Sequence, residues 1–311
     1  MLCKKPFRQG VAAFGCGQCL PCRIKIRRER THRAMIESLK HGDSAFVNLT
    51  YRFECFAGTH ENSGSVYRKH VQDFIKRLRS SLSYKIRVFG VGEYGDTTQR
   101  PHYHLIIYGY PTCTYGRSRY SNRTKDCCAS CDLIRDTWKL GHVYLGDVTK
   151  DSCAYVAGYV LKKLTSKNSQ FQREALQDRN PEFAIYPNKP GLGALGVPDI
   201  VQILTRDVGA NSLIAEGDVP SSLRHGGKAY PLGRYLRRKI REYYGFPEKR
   251  TKATSTSTTN TPDGWLQKAA EEMRELLEKH DYDQKKIVEE KMQKLLNLEK
   301  RNNIFTKRRR F

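Results

Sequence analysis

Two β-rich runs, Tyr84–Gly92 (YKIRVFGVG) and His102–Tyr108 (HYHLIIY), lie either side of the Gly-containing polar segment YGDTTQRP. Runs this rich in β-branched and aromatic residues, joined so closely, are expected to pair as a β-hairpin. The neighbouring sequence extends the pattern. Ser44–Phe53 (SAFVNLTYRF) reads as a further buried strand, Val66–Ser81 carries helical spacing through Val71, Phe74, Ile75 and Leu78, Asp132–Leu140 reads as helical, and His142–Asp147 as extended. The expected fold is α+β, a central antiparallel sheet with flanking helices and a C-terminal helical extension.

Five segments are expected along the chain. Residues 1–42 hold a Gly, Pro and Cys-rich knuckle and a basic helix over Arg23–Lys40 that stops at His41-Gly42; residues 43–185 hold the sheet core. Residues 186–250 read as a basic, irregular region containing YPNKPGLGALGVPDI and GRYLRRKIREYYG. Residues 251–264 (TKATSTSTTNTPDG) are a low-complexity linker, and residues 265–311 a Glu, Lys and Leu-rich helical tail. Asp151–Leu164 (DSCAYVAGYVLKKL) is expected to be a helix capped by Asp151 or Ser152.

The charge narrows the partners. The chain carries 56 Lys plus Arg against 32 Asp plus Glu, a formal charge of +24, which points to a polyanion. Hydrophobic residues at 38% exclude a merely disordered basic tail. The longest aliphatic stretches fall far short of a bilayer span and the start of the chain has no apolar signal region, so no membrane is expected. Arg23, Lys25, Arg27, Arg28, Arg30 and Arg33 are candidate DNA phosphate contacts, although any single one could equally be a solvated surface charge.

Chemistry concentrates in a few places. His102 and His104 alternate with Tyr103 on a strand, so both imidazoles share a face, either lining a polar sheet surface or chelating an ion. Glu93 lies on the partner strand of the hairpin, where its carboxylate could complete a ligand set suited to a divalent ion. Tyr155 and Tyr159 are one helical turn apart with Lys162 a turn further on; the alternative is an aromatic stripe packed in the core, but Val156, Val160, Leu161 and Leu164 already supply an apolar face. Cys3, Cys16, Cys19 and Cys22 have the spacing of a structural Zn²⁺ knuckle; Cys113, Cys127, Cys128 and Cys131 form a second group that binds its own ion or completes the first, and Cys55 and Cys153 stand alone. Clustered thiols without a secretion signal fit a reducing compartment.

A strand reading FVNLTY, then a His-hydrophobe-His strand, then YxxxYxxK, in this order, resembles the HUH-type rolling-circle replication initiators. The Cys3…CGQC-LPC-R opening, the GEYG…RPHYHLIIYG block and YVAGYVLKK further resemble the microvirus (gokushovirus-like) replication initiators over residues 1–165, with PGLGALG and YLRRKI familiar beyond. The resemblance implies Ser44–Tyr51 as the first motif strand, His102 and His104 as the metal pair, Tyr155 and Tyr159 as nucleophiles and Lys162 as the motif lysine. Glu93 as third ligand rests on hairpin geometry and on similarity to viral initiators with an upstream Glu. The family pattern often has Lys before the second tyrosine, where Gly158 stands here, and Lys163 is nearby.

The activity implied by this resemblance is that of a site-specific single-stranded DNA endonuclease and strand-transferase. Mg²⁺ or Mn²⁺ polarises the scissile phosphate, one tyrosine becomes linked to the 5′ phosphate, and the second allows a circle to be closed. Its partners would be single-stranded DNA, origin duplex DNA, and the host helicase and DNA polymerase, in the cytoplasm of a bacterial host. No GxxxxGK[ST] loop occurs, and His225-Gly226-Gly227-Lys228-Ala229 does not substitute for one. The alternatives are a relaxase or transposase of the same superfamily and a non-catalytic, zinc-dependent DNA-binding protein.

Overall fold

Side chains alternate between two faces along a strand, and the central strands of this chain are apolar on nearly every position, so both faces of the sheet must be covered. The computed structural model describes residues 2–9, 12–52, 64–95, 98–116, 127–162, 179–206, 218–245, 274–275 and 277–307. Cys55, the linker 251–264, Lys163 and the basic residues 308–310 lie outside them. The chain divides into two units, Met1–Ile26 with Pro247–Phe311, and Arg27–Phe246.

In the first unit, β1 (Phe7–Gln9) and β2 (Ala12–Phe14) pair antiparallel, so the stretch expected to be turn-dense contains a short hairpin between Cys3 and Cys16. The hairpin folds the chain back and lets cysteines distant in sequence meet. Helix α1 (Leu20–Ser38) begins in this unit and runs on into the second, ending just before His41-Gly42. The C-terminal helical extension is realised in α7 (Gln284–Lys307).

The second unit is built on a five-stranded sheet of order β6-β3-β5-β4-β7. Its strands are β3 (Ser44–Thr50), β4 (Arg87–Tyr94), β5 (Pro101–Tyr108), β6 (Val143–Asp147) and β7 (Phe183–Ile185), and each pairing is antiparallel. Strands β4 and β5 form the expected hairpin. Strand β5 is central, and every one of its residues from Tyr103 to Tyr108 is buried. Gly90 is required beside it: a Cβ there would stand 2.8 Å from the His104 carbonyl oxygen and closer still to Leu105.

One face carries Leu49, Tyr103, Leu105 and Ile107 and is covered by α2 (Arg68–Ser80) and α3 (Ala129–Trp138). The opposite face carries Phe89, Val91, Ile106 and Tyr108 and is covered by Ala34 and Met35 of α1 and by Cys153, Val156 and Ala157 of α4 (Lys150–Lys162). Helix α4 starts with a reciprocal box between Thr149 and Ser152, in which each backbone N–H donates to the other's hydroxyl, 2.7 and 3.2 Å. Thr149, not Asp151 or Ser152, is therefore the cap. Fully buried Glu37 of α1 accepts from Arg87 Nε and, at 2.7 Å, from the Gly193 N–H, tying the PGLGALG segment to the sheet.

Residues 186–250, read as irregular, are largely regular where described. Helix α5 (Val197–Leu204), the hairpin of β8 (Ser222–His225) with β9 (Lys228–Pro231), and α6 (Gly233–Tyr244) occupy this stretch. The reason is amphipathic: Leu236 and Ile240, one turn apart on α6, bury against Val197, Val201 and Leu204, while the arginines between them face outward. His225-Gly226-Gly227-Lys228 is the tight turn of that hairpin.

Candidate active site and cysteine clusters

The β-strand alternation that puts His102 and His104 on one face also selects their cross-strand neighbours. Asn48 of β3 is opposite His104, Thr50 is opposite His102, and Glu93 of β4 is the direct partner of His102. The two imidazoles lie parallel, with centroids 6.2 Å apart. His104 is 5% and Glu93 4% exposed.

Hydrogen bonds fix the tautomers. His102 Nδ1 donates to the Arg100 carbonyl (2.7 Å), and His104 Nδ1 donates to Asn48 Oδ1, so each ring keeps its Nε2 lone pair for another purpose. His104 Nε2 faces Glu93 Oε1 at 2.8 Å. Desolvation pushes the His104 pKa down to about 3, so this contact is not an ion pair at neutral pH. Burial also lowers His102, opposed by its bond to the Arg100 carbonyl. Two acceptors facing one another in a dry position need a proton or a cation between them. Two neutral imidazoles and one carboxylate are the donor chemistry of a divalent-ion site, and the residues present fit one. Glu93 reaches His104 directly, whereas His102 stays one ring further along the strand.

Helix α4 lies over these residues. The Tyr155 ring meets His104 edge-on at 4.9 Å, the Tyr159 ring stacks on it at 5.4 Å, and the two tyrosine rings are 4.7 Å apart. Phe46 closes the far side, 6.1 Å from Tyr155. The tyrosines are thus neither a stripe in the core nor a free surface pair; Val156 and Ala157 perform the packing. Lys162 ends α4, and its side chain lies outside the described residues.

The arginines of α1 turn inward instead of forming a single outward cationic face. Arg27 Nε donates to the Ala154 carbonyl (3.0 Å), and a Cβ at position 158 would stand 3.2 Å from the same atom, so this guanidinium crosses α4 beside the residues that precede each tyrosine. Arg28 donates to the Ala229 carbonyl (2.5 Å) and Arg33 to that of Leu192 (2.9 Å), with the Arg33 guanidinium over the Tyr235 ring. Arg30 lies over Tyr186 at 5.7 Å. In the first unit Arg23 is half-buried and Lys25 exposed. Buried carbonyls need donors, and a planar fork of five N–H groups meets several at once. Sequence reading missed this inward role, and it missed Asn48, whose only signal was a polar residue at a site-facing position of an otherwise apolar strand.

Among the described residues, the tight groups of metal-ligating side chains are two cysteine quartets, Cys3 with Cys16, Cys19 and Cys22, and Cys113 with Cys127, Cys128 and Cys131. In each, the four sulfurs lie within 4.8 Å of one another, and either could bind a metal such as zinc. The second group does not complete the first. Cys153 is buried in the core beneath α4. No helix among the described residues is long and apolar enough to cross a membrane.

Residues 44–164 match a family of replication-associated proteins, the one described by its ORF2 members. The chain is 35% identical over 166 residues to Replication-associated protein VP4 of Bdellovibrio phage phiMH2K, covering 51% of each. It is 30% identical over 175 residues to Replication-associated protein ORF4 of Chlamydia phage 1, covering 51% of this chain and 42% of that one. Replication-associated protein ORF2 of Spiroplasma virus 4 is 29% identical over 160 residues, 49% of each. The chain thus spans about half the length of the curated relatives it matches, and no solved structure matches it. These likenesses support a microvirus-like replication protein.

Proposed function

We propose that this microvirus-like replication protein nicks the viral strand at its origin by tyrosine attack and later rejoins it, releasing a circular single strand. The observation that carries the reading is the packing of two tyrosine rings on His104 beside Glu93. The phenol oxygen of Tyr155 or Tyr159 attacks the scissile phosphorus; a tyrosyl O–P bond forms as the bond to the 3′ oxygen breaks. The 3′ oxygen takes a proton and leaves as a 3′-OH, which a host polymerase extends after a host helicase opens the duplex. Mg²⁺ or Mn²⁺ held by His102, His104 and Glu93 supplies, when bound, Lewis-acid polarisation of the phosphate.

The protein's own groups do the positioning. Asn48 orients His104, Arg27 clamps α4 at the turn bearing both tyrosines, and Lys162 follows at the helix end to meet phosphate charge. A second tyrosine at one helical turn serves the second cleavage: the regenerated origin is cut by the other phenol, and the freed 3′-OH attacks the first phosphotyrosine to close the circle. The energy of the phosphodiester is kept in the tyrosyl bond, so joining consumes no nucleotide. The setting would be the cytoplasm of the bacterial host.

The test is a single-stranded oligonucleotide tiling of the viral strand, incubated with protein and Mn²⁺ and resolved in SDS. A covalent adduct whose peptide mass maps to Tyr155 or Tyr159 is expected. Absence of an adduct on every oligonucleotide favours a non-catalytic DNA-binding protein.

Substitutions at two supporting positions should read differently. Asn48→Ala frees the His104 ring and should lower the adduct rate about 10–100-fold with a raised Mn²⁺ requirement, as losing a ligand's orienting partner does; an unchanged Mn²⁺ dependence would exclude that role. Arg33→Ala should destabilise the fold by about 1–3 kcal/mol without altering the salt dependence of DNA binding, whereas Lys25→Ala should reduce the salt slope by about 0.7 for a single strand. Thermal melts and anisotropy titrations across salt concentration measure both.

A further inference from the structure

Cys113 comes after β5 by a few residues, Cys127 and Cys128 precede α3, and Cys131 lies in its first turn. The Cys113 and Cys127 sulfurs are 3.5 Å apart, and all four lie within 4.8 Å of one another. A tetrahedron of thiolates at a Zn–S distance of about 2.3 Å has sulfur–sulfur edges of about 3.8 Å, whereas a covalent bridge needs about 2.05 Å. The spacing is that of a coordination sphere.

The surroundings agree. Burial alone would raise the Cys128 thiol, but backbone N–H groups of Cys131 and Thr114 donate to its sulfur and bring it down to about 7. Burial and the neighbouring sulfurs push Cys131 up. A set of four thiolates this close is sustained only around a cation. Cys113 and Cys131 are 9% and 2% exposed and belong to the core on the sheet face away from His102 and His104. Four sulfur ligands leave no open position, which is the mark of a structural and not a catalytic ion.

We propose that Cys113, Cys127, Cys128 and Cys131 bind one structural zinc ion, separate from the Cys3 quartet, that staples the chain leaving β5 to the start of α3. The staple acts on a strand and a helix that are adjacent in the core: α3 ends in Trp138, packed on Tyr103 of β5 with ring centroids 5.5 Å apart. The ion secures the central strand from behind, and it does so whether or not the chain cleaves DNA.

The test uses the full chain carrying Cys16→Ser and Cys19→Ser, which silences the first quartet. This variant is expected to retain one zinc per chain by elemental analysis, and with Co²⁺ to give the visible bands of a tetrahedral four-thiolate site. Adding Cys128→Ser and Cys131→Ser should remove that equivalent. Cys127→His in the same background keeps four ligands and should retain the metal with a shifted Co²⁺ spectrum, so the assignment does not depend on a variant that fails to fold. A folded Cys16→Ser, Cys19→Ser chain without zinc or Co²⁺ bands would overturn the proposal, as would a Cys113–Cys127 disulfide peptide or a Co²⁺ spectrum unmoved by Cys127→His.

Discussion

Tyr155→Phe combined with Tyr159→Phe is expected to reduce the covalent DNA adduct by at least about 10³-fold, because both candidate nucleophiles are removed while the rings that pack on His104 remain. The single variants separate two steps. With one phenol left, nicking should persist within about tenfold of wild type, since the rings are 4.7 Å apart and either can approach the same phosphate. Circle release, which needs both, should fall by at least about 10²-fold. A double variant that still forms the SDS-stable adduct would remove the tyrosines from the chemistry. Single variants that release circles normally would show that one tyrosine suffices.

Trp138→Ala should destabilise the Arg27–Phe246 unit by about 3–5 kcal/mol, a large share of a typical domain's 5–15 kcal/mol. Trp138 is fully buried, its rings meet those of Tyr51, Phe74 and Tyr103, and its Nε1 donates to the Thr50 carbonyl at 3.1 Å. Truncation leaves a cavity and removes that donor from the carbonyl at the end of β3, the strand that carries Asn48. Urea unfolding followed by tryptophan-independent circular dichroism measures it, and a loss under 1 kcal/mol would contradict this account of the core. Below the unfolding temperature, metal-dependent nicking should change little, because Trp138 and the tyrosines lie on opposite faces of the sheet.

Much of the fold was legible in local pattern. Period-two alternation identified β3, β4 and β5 and put His102 with His104 on one face, and i, i+4 spacing put Tyr155 with Tyr159 on another; these are properties of single elements. Element ends moved by one to three residues, as with α4, whose cap is Thr149. Strand β7 was invisible, since Phe183–Ile185 is three residues long and is held by backbone pairing with Gly90–Gly92. Helix α6 was hidden under its arginines, and only the partner surface of α5 reveals which of its residues are inside.

The residues of the candidate site were thus named by the sequence, while their relations were decided in three dimensions. Register between β4 and β5 depends on how the intervening turn closes, and it makes Glu93 the partner of His102 while its carboxylate reaches His104. Charge is likewise silent about direction: the same basic helix could have faced solvent, yet Arg27, Arg28 and Arg33 satisfy carbonyls far away in sequence. Spacing marked both cysteine groups, but whether they form one site or two is a question of distance between segments. Side-chain periodicity is local and is written in the residues; register, burial of charge and the meeting of distant cysteines are set by long-range packing, which no single segment contains.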